Sequence, residues 1–168
     1  MIKIFVYAAD QQLAEQTVQR LKEAGAEQAE LLGSLKIAAR QPKENRYLFI
    51  CETPAEKLAD LMPKVLQETE YVAELGTWYE TQTQILGAYT AHKKRAVLLS
   101  ANQLAGNPTT LVQHINAQWQ CRLTAPEAAQ SSEVTLKANH LLGYLVQNLI
   151  EKTPPLQQLA ISQAQSTG

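Results

Sequence analysis

Short apolar segments that alternate with helical patterns constrain the fold of this chain more than any other feature. Residues 2–7, 47–51 and 96–99 have the length and the apolar, branched or aromatic composition of buried strands, and a helical pattern follows each of them. This alternation predicts right-handed crossovers and a mostly parallel sheet. We therefore expect an α/β fold of three layers, in which helices cover both faces of the sheet. The 168 residues fit a single domain.

The second helix carries the most explicit signals. Thr53 and Glu56 have the spacing of a capping box, with Pro54 at the first helical position. Pro63 lies inside the apolar pattern, so we expect it to kink this helix or to end it early. The pattern predicts that four apolar side chains are buried, namely Leu58, Leu61, Met62 and Val65.

Other helices have less complete signals. The first begins near Gln11 and ends at Gly25, and a longer one is predicted over residues 72–92. Asn107 precedes a proline and predicts the cap of a further helix. A last helix is predicted over residues 134–151.

The chain divides into a domain and a short tail. We expect the α/β domain to cover residues 1–152 and the tail to cover residues 153–168, as a short helix followed by a disordered end. Residues 30–38 are ambiguous between a loop and a short edge strand.

The first strand-to-helix turn lies where many α/β proteins bind a phosphate. Here it reads Ala-Ala-Asp-Gln-Gln over residues 8–12, with no glycine and no basic residue. Phosphate sites at such turns need free backbone N–H groups, and glycine permits their close approach. Asp10 would instead cap the helix and add a repulsive charge. The turn therefore argues against a phosphate site.

Composition excludes some partners and indicates a compartment. The formal net charge is −1, so no overall field attracts nucleic acid or an acidic membrane, and no apolar run approaches the ~20 residues that span a bilayer. Cys51 and Cys121 form no C-x-x-C pair, which favours reduced thiols. Met1 leads directly into a strand without the pattern of a signal peptide. We expect a cytoplasmic protein without nucleic-acid or membrane partners.

Polar residues follow the predicted strands and form the candidate ligand site. Asp10, Glu52 and Ser100 stand at or after carboxyl ends of strands, where open α/β sheets bind ligands, and Gln11 and Thr53 adjoin them. Such a group suits a polar, neutral or cationic ligand such as a sugar or an amine. In the alternative interpretation, Asp10 and Thr53 are helix caps and Glu52 is solvated.

A second candidate is the basic cluster of the chain, which consists of His92, Lys93, Lys94 and Arg95. It would contact a phosphate or an acidic partner. Alternatively, these cations complement the dipole at the end of the long helix.

Patterns that indicate catalysis are missing from the sequence. His92, His114 and His140 lack the spacing of metal ligands, and Ser100 is not in a G-x-S-x-G motif. We expect no metal, no cofactor and no catalytic residue.

Residues 78–119 resemble the C-terminal part of bacterial sulfotransferase-type domains. Those domains run a long helix into a strand, then the pattern R-Y-E-D-L-x-x-D-P, then a helix. Here S-A-N-Q-L-A-G-N-P has the same spacing, with Leu104 and Pro108 identical and Asn107 in place of the capping Asp.

Residues 47–60 resemble the strand of that family and the R-D-P and Ser that follow it. With Pro54 aligned, Glu52 and Thr53 replace Arg-Asp, and Asp60 falls near the Ser. The resemblance implies a P-loop-type, sulfotransferase-like fold whose ancestor bound 3′-phosphoadenosine 5′-phosphosulfate. Acids at the 3′-phosphate positions reverse the sign of an interaction worth ~4 kcal/mol at about 4 Å and an effective dielectric near 20. We therefore expect a degenerate site that does not bind this donor.

Three functions remain open. The first is a non-catalytic interaction or regulatory module on a sulfotransferase-like scaffold, serving cell-surface polysaccharide synthesis and binding a protein partner or a second copy of the chain. It predicts no nucleotide binding and an apolar patch on the last helix and tail. The second is a transferase with a remodelled donor site for a nucleotide sugar, in which Lys93, Lys94 or Arg95 reaches the pocket. The third is a binding module for a small polar ligand.

Overall fold

The computed structural model of the chain describes residues 2–37, 40–125 and 154–167. The predicted helix at residues 134–151 and the domain boundary at residue 152 lie outside this part of the chain. The described elements are, in chain order, β1 (Lys3–Ala8), α1 (Gln11–Glu23), β2 (Ala29–Leu31), β3 (Asn45–Cys51), α2 (Pro54–Leu61), α3 (Glu68–Ala91), β4 (Ala96–Ser100), α4 (Ala101–Gly106), α5 (Pro108–Trp119) and α6 (Pro154–Thr167).

The four strands form one sheet in the order β2-β1-β3-β4, and every pair is parallel. The predicted α/β class with a parallel sheet is confirmed. Residues 30–38 were ambiguous between a loop and a short edge strand. The structure has a short edge strand here, β2, which begins one residue earlier, at Ala29. The winding reverses between β1 and β3, which makes their carboxyl ends the topological switch point of the sheet.

Helices cover both faces of the sheet, as predicted. Side chains alternate along β3, so Leu48 and Ile50 pack with α1, α4 and α5. Tyr47, Phe49 and Cys51 lie on the other face and pack with Ile85 of α3 and its neighbours. All five side chains of β3 from residue 47 onward are buried, because the strand is covered from both sides.

Most capping predictions are confirmed. Asp10 accepts hydrogen bonds from the N–H groups of Gln12 and Leu13 at 2.9 and 3.3 Å. The Asn107 side chain accepts one from the N–H of Thr109 at 2.9 Å. Gly25 follows α1 with a φ of +103°, a conformation that favours glycine over residues with a side chain.

The end of α2 corrects one expectation. The helix stops at Leu61, two residues before Pro63, so the prediction that the proline ends it early is confirmed. The prediction that Met62 and Val65 are buried was wrong, because both residues lie beyond the helix and are 46% and 102% exposed. Leu61 is buried as expected.

The long helix α3 begins at Glu68, four residues before its predicted start. The N–H of Gln67 donates to the Glu70 carboxylate at 2.7 Å, so the helix starts at a cap that its apolar pattern does not reveal. Its last residue, Ala91, lies next to the predicted end.

The tail is helical through Thr167 in α6, where the sequence predicts a short helix and then a disordered end. Leu159 and Gln163 are buried, and α6 contacts β4. Among the described helices, none is long and apolar enough to cross a membrane.

Candidate ligand crevice at the strand ends

A crevice of about 310 Å³ opens at the switch point between β1 and β3. The turn after β1 contributes Asp10, and the end of β3 contributes Cys51 and Glu52. The remaining polar lining comes from the helices that surround the sheet edge, namely Glu56, Lys57 and Asp60 of α2, Gln82 of α3 and Asn102 of α4.

Two of the five predicted ligand residues lie in this crevice, Asp10 and Glu52. The Gln11 amide instead donates to the Glu15 carboxylate at 2.8 Å along the surface of α1. The Thr53 hydroxyl accepts from the N–H of Glu56, and the Ser100 hydroxyl accepts from the N–H of Gln103, each at 3.3 Å. These two hydroxyls are helix caps and are not part of the crevice lining.

The Glu56 carboxylate joins the N-termini of two helices. Its Oε2 accepts the N–H of Thr53 at 2.8 Å, and its Oε1 accepts the N–H of Asn102 at 2.9 Å. Burial raises the pKa of Glu56 above the ordinary value of 4.5, while these hydrogen bonds act to lower it. The carboxylate thus occupies the kind of place, between backbone N–H groups at helix starts, that a bound anion would take.

The backbone of Glu52 is held from two sides. Its N–H donates to Gln82 Oε1 at 2.8 Å, and its carbonyl accepts from Gln163 Nε2 at 3.3 Å. Both glutamines are 2% exposed, so these bonds are shielded from water. α3 and α6 therefore fix the position from which the Glu52 carboxyl enters the crevice.

Negative charge dominates the crevice. Among the described residues, four carboxyl groups line it, those of Asp10, Glu52, Glu56 and Asp60, and one ammonium group, that of Lys57. That ammonium is paired with the Glu74 carboxylate at 3.3 Å, and the Asp60 carboxylate is paired with the Lys64 ammonium at 3.1 Å. The excess repels anions and favours cations.

The pKa of Glu52 reflects this surrounding charge. Burial raises it above 4.5, the Lys57 ammonium lowers it, and the carboxylates of Glu56, Asp60 and Asp10 raise it further. Glu52 is therefore more readily protonated than an ordinary surface glutamate.

The thiol at the base of the crevice is not a nucleophile. Burial, with a contribution from the Glu56 carboxylate, raises the pKa of Cys51 to about 12, and the residue is 2% exposed. It stays protonated at neutral pH, and the protonated thiol is unreactive. Within residues 2–37, 40–125 and 154–167, no group of three or more His, Cys, Asp or Glu is arranged to hold a metal ion.

The predicted basic cluster lies at the opposite end of the sheet, where the strands have their amino ends. It precedes β4, whereas the crevice lies beyond the strand ends. The His92 ring is 5.5 Å from the Tyr47 ring, and the Arg95 guanidinium donates to carbonyl oxygens of Gln41 and Pro42 at 3.4 and 3.3 Å. Parallel strands separate the two edges, so these cations do not reach the crevice.

Sequence reasoning missed part of the crevice. Gln82 had a usable signal, because it is a polar residue on the buried stripe of α3 that also carries Trp78, Ile85 and Tyr89. A buried amide at such a position must have a partner, which here is the Glu52 backbone. Asn102 contributes its backbone N–H to Glu56, and a backbone donor leaves no signal in the sequence.

Together, the fold and the crevice define an α/β protein with an acidic pocket at the switch point of a parallel sheet. No protein-family model matches the chain, and comparisons with curated proteins and with solved structures find no significant similarity.

Proposed function

We propose that this chain is a non-catalytic regulatory module that binds a small cationic or neutral polar ligand at the switch point. In this proposal the scaffold is a degenerate, sulfotransferase-like one that no longer takes an anionic donor. A role in cell-surface polysaccharide synthesis belongs to the same proposal and follows from the resemblance.

The hydrogen bonds of the Glu56 carboxylate are the main support for the proposal. It satisfies backbone N–H groups at the starts of α2 and α4, and Asp10 does the same at the start of α1. A phosphate or sulfate at this edge would have to displace the protein's own carboxylates. Such a ligand would also meet repulsion from the Glu52 and Asp60 carboxyl groups nearby.

The size and the chemistry of the crevice favour a small ligand. Its volume of about 310 Å³ is at the lower end of ligand pockets. Carboxylates that are not engaged by backbone donors accept hydrogen bonds from ammonium groups and from hydroxyls. An amine or a sugar fits this description, and an inert Cys51 thiol supports binding without a covalent step.

The resemblance to the sulfotransferase-type family also supports the proposal that the donor site has been lost. Glu52 and Asp60 stand where the sulfotransferase-type family holds the 3′-phosphate, and both line the crevice. A remodelled transferase would need cations here, but Lys93, Lys94 and Arg95 lie at the other edge and Lys57 is paired with Glu74. We therefore do not propose a transferase.

The test is heteronuclear NMR of the isotopically labelled chain with three probes, putrescine, glucose and adenosine 3′,5′-bisphosphate. We expect putrescine or glucose to shift the amide signals of Asp10, Glu52 and Asn102. The bisphosphate should leave these signals unchanged, because the crevice is acidic.

Matched variants show whether charge drives the response. Glu52→Gln should weaken the putrescine shifts, whereas Glu80→Gln, an exposed residue of α3 outside the crevice lining, should not. Bisphosphate shifts confined to the crevice amides would overturn the proposal. If all three probes leave these amides unchanged, the ligand assignment fails.

A further inference from the structure

A second, larger concavity surrounds the start of β4, at the opposite edge of the sheet from the crevice. It has a volume of about 860 Å³ and is called the basic groove below. Its cationic lining comes from two separate segments, Arg40 and Lys43 before β3, and Lys93, Lys94 and Arg95 before β4. His92 also lines it, and no carboxyl group is among its described lining residues.

Hydrogen bonds connect the two basic segments into one frame. The Arg95 guanidinium donates to the carbonyl oxygens of Gln41 and Pro42, which joins the turn before β4 to the loop before β3. The buried Asn45 amide donates to Gln41 Oε1 at 3.1 Å and holds the same loop from inside. The fold therefore brings together cations from two segments that are far apart in the sequence.

Helix dipoles do not account for this much positive charge. α3 ends at Ala91 and α5 ends at Trp119, beside the groove residue Gln118. Each helix end is equivalent to roughly half a negative charge, so two ends offset about one of the five formal charges of the Lys and Arg residues. Within the described part of the chain, none of these five side chains makes an ion pair.

We infer that the basic groove binds a small polyanion that carries two or more phosphate or sulfate groups. Several separated cations around one concavity match several separated anionic groups, and Arg and Lys are the side chains that bind them best. The volume lies within the range of small-molecule pockets. The inference does not depend on the ligand of the acidic crevice.

A small ligand fits better than a nucleic acid. The chain as a whole carries a formal charge of −1, so it has no overall field that attracts a phosphate backbone. Five Lys and Arg side chains cluster around one concavity at one end of the sheet.

The experiment measures tripolyphosphate binding by isothermal titration calorimetry, with orthophosphate as a comparison. Lys93→Gln/Lys94→Gln removes two exposed cations of the groove. Lys22→Gln/Lys36→Gln removes two exposed lysines outside it and is matched in charge. We expect the groove variant to weaken tripolyphosphate binding at least about tenfold and the control less than about twofold. Thermal unfolding verifies that both variants fold.

Two further measurements test where the polyanion binds and whether it is a soluble ligand or a lipid headgroup. NMR signals of Lys93 and Lys94 should move with tripolyphosphate, while those of Glu52 and Asn102 should not. Soluble tripolyphosphate should also compete with vesicles that contain phosphatidylinositol bisphosphate. Binding to vesicles alone, tighter binding of a DNA duplex, an equal loss in both double variants, or no binding to the native chain would each overturn the inference.

Discussion

The two cysteines of this chain report on opposite ends of the same sheet. Cys51 ends β3 at the acidic crevice, where burial and the Glu56 carboxylate both raise its pKa, to about 12. Cys121 lies at the other end, beyond α5, where burial raises its pKa above the ordinary value of 9.0 and the Arg46 guanidinium partly offsets that rise. The same residue type therefore meets a negative field at one edge and a positive field at the other.

This difference shows how a nearly neutral chain can carry two charged sites. At the carboxyl edge, the carboxylates of Glu56 and Asp10 are engaged by helix N-termini of the protein itself. At the amino edge, Lys93 and Lys94 have no ion-pair partner among the described residues. At the first edge these two carboxylates are therefore satisfied internally and we propose that Glu52 meets the ligand, whereas at the second edge the ammonium groups of Lys93 and Lys94 are the ones offered to a ligand.

Thiol reactivity should show the largest contrast between the edges. A pKa of about 12 instead of 9.0 lowers the thiolate fraction of Cys51 at neutral pH about a thousandfold. With iodoacetamide and the native protein, we expect Cys121 to be alkylated at least about tenfold faster than Cys51, because Cys121 is only half-buried and the Arg46 guanidinium partly offsets the rise in its pKa. Peptide mass spectrometry measures the two rates, and comparable rates would contradict the buried, acidic setting of Cys51.

Glu56→Ala should cause the largest loss of stability. It removes the acceptor for two backbone N–H groups, so we expect the free energy of unfolding to fall by about 2–3 kcal/mol in urea denaturation. Glu70→Ala is the matched control, because Glu70 caps α3 in the same way but, among the described residues, accepts only the Gln67 N–H at an exposed helix start. It should cost about 1 kcal/mol or less. Equal losses would refute the bridging role of Glu56.

Gln82→Leu should have a smaller effect. The variant keeps the approximate volume but leaves the Glu52 N–H without its acceptor, which we expect to cost about 1–2 kcal/mol of unfolding free energy. Gln84→Leu changes an exposed glutamine of the same helix and should be within about 0.5 kcal/mol of the native chain. A neutral Gln82→Leu would show that Glu52 is not held from α3.

The pH dependence of Glu52 is the smallest effect. A folded-state pKa above the ordinary 4.5 means that the folded protein binds the proton more tightly than the unfolded chain. The resulting stabilisation is present below pH 4.5 and is lost as the pH rises through the folded-state pKa. Glu52→Gln should therefore raise the melting temperature at pH 7 and leave it nearly unchanged at pH 4. Glu80→Gln is the control, and an identical response of both variants would contradict this assignment.

Much of the fold could be predicted from local sequence. The strands at 47–51 and 96–99 and the cap at Thr53 are encoded by a few adjacent residues, so their positions were nearly correct. The early start of α3 depends on a polar cap at Gln67, which an apolar periodicity does not detect. Met62 and Val65 fit the apolar periodicity but lie past the helix end, because periodicity alone does not register the stop that Pro63 imposes.

The site was only partly predictable. Asp10 and Glu52 line one crevice, since the carboxyl ends of parallel strands meet at one edge, and their role in binding a ligand stays a prediction. Thr53 and Ser100 were predicted as ligand residues, but a hydroxyl at the end of a strand can also cap the helix that follows. In the structure both hydroxyls cap helices.

By itself, the amino-acid sequence determined the α/β class, the positions of the main strands and a turn after β1 that holds neither glycine nor a basic residue. These depend on interactions between residues that are close in the chain. Tertiary structure alone decided that Glu56 would accept an N–H from Asn102 and that Lys43 and Lys93 would line the same groove. The physical reason is that both arrangements join segments far apart in sequence, whose separation is set by strand order and helix packing.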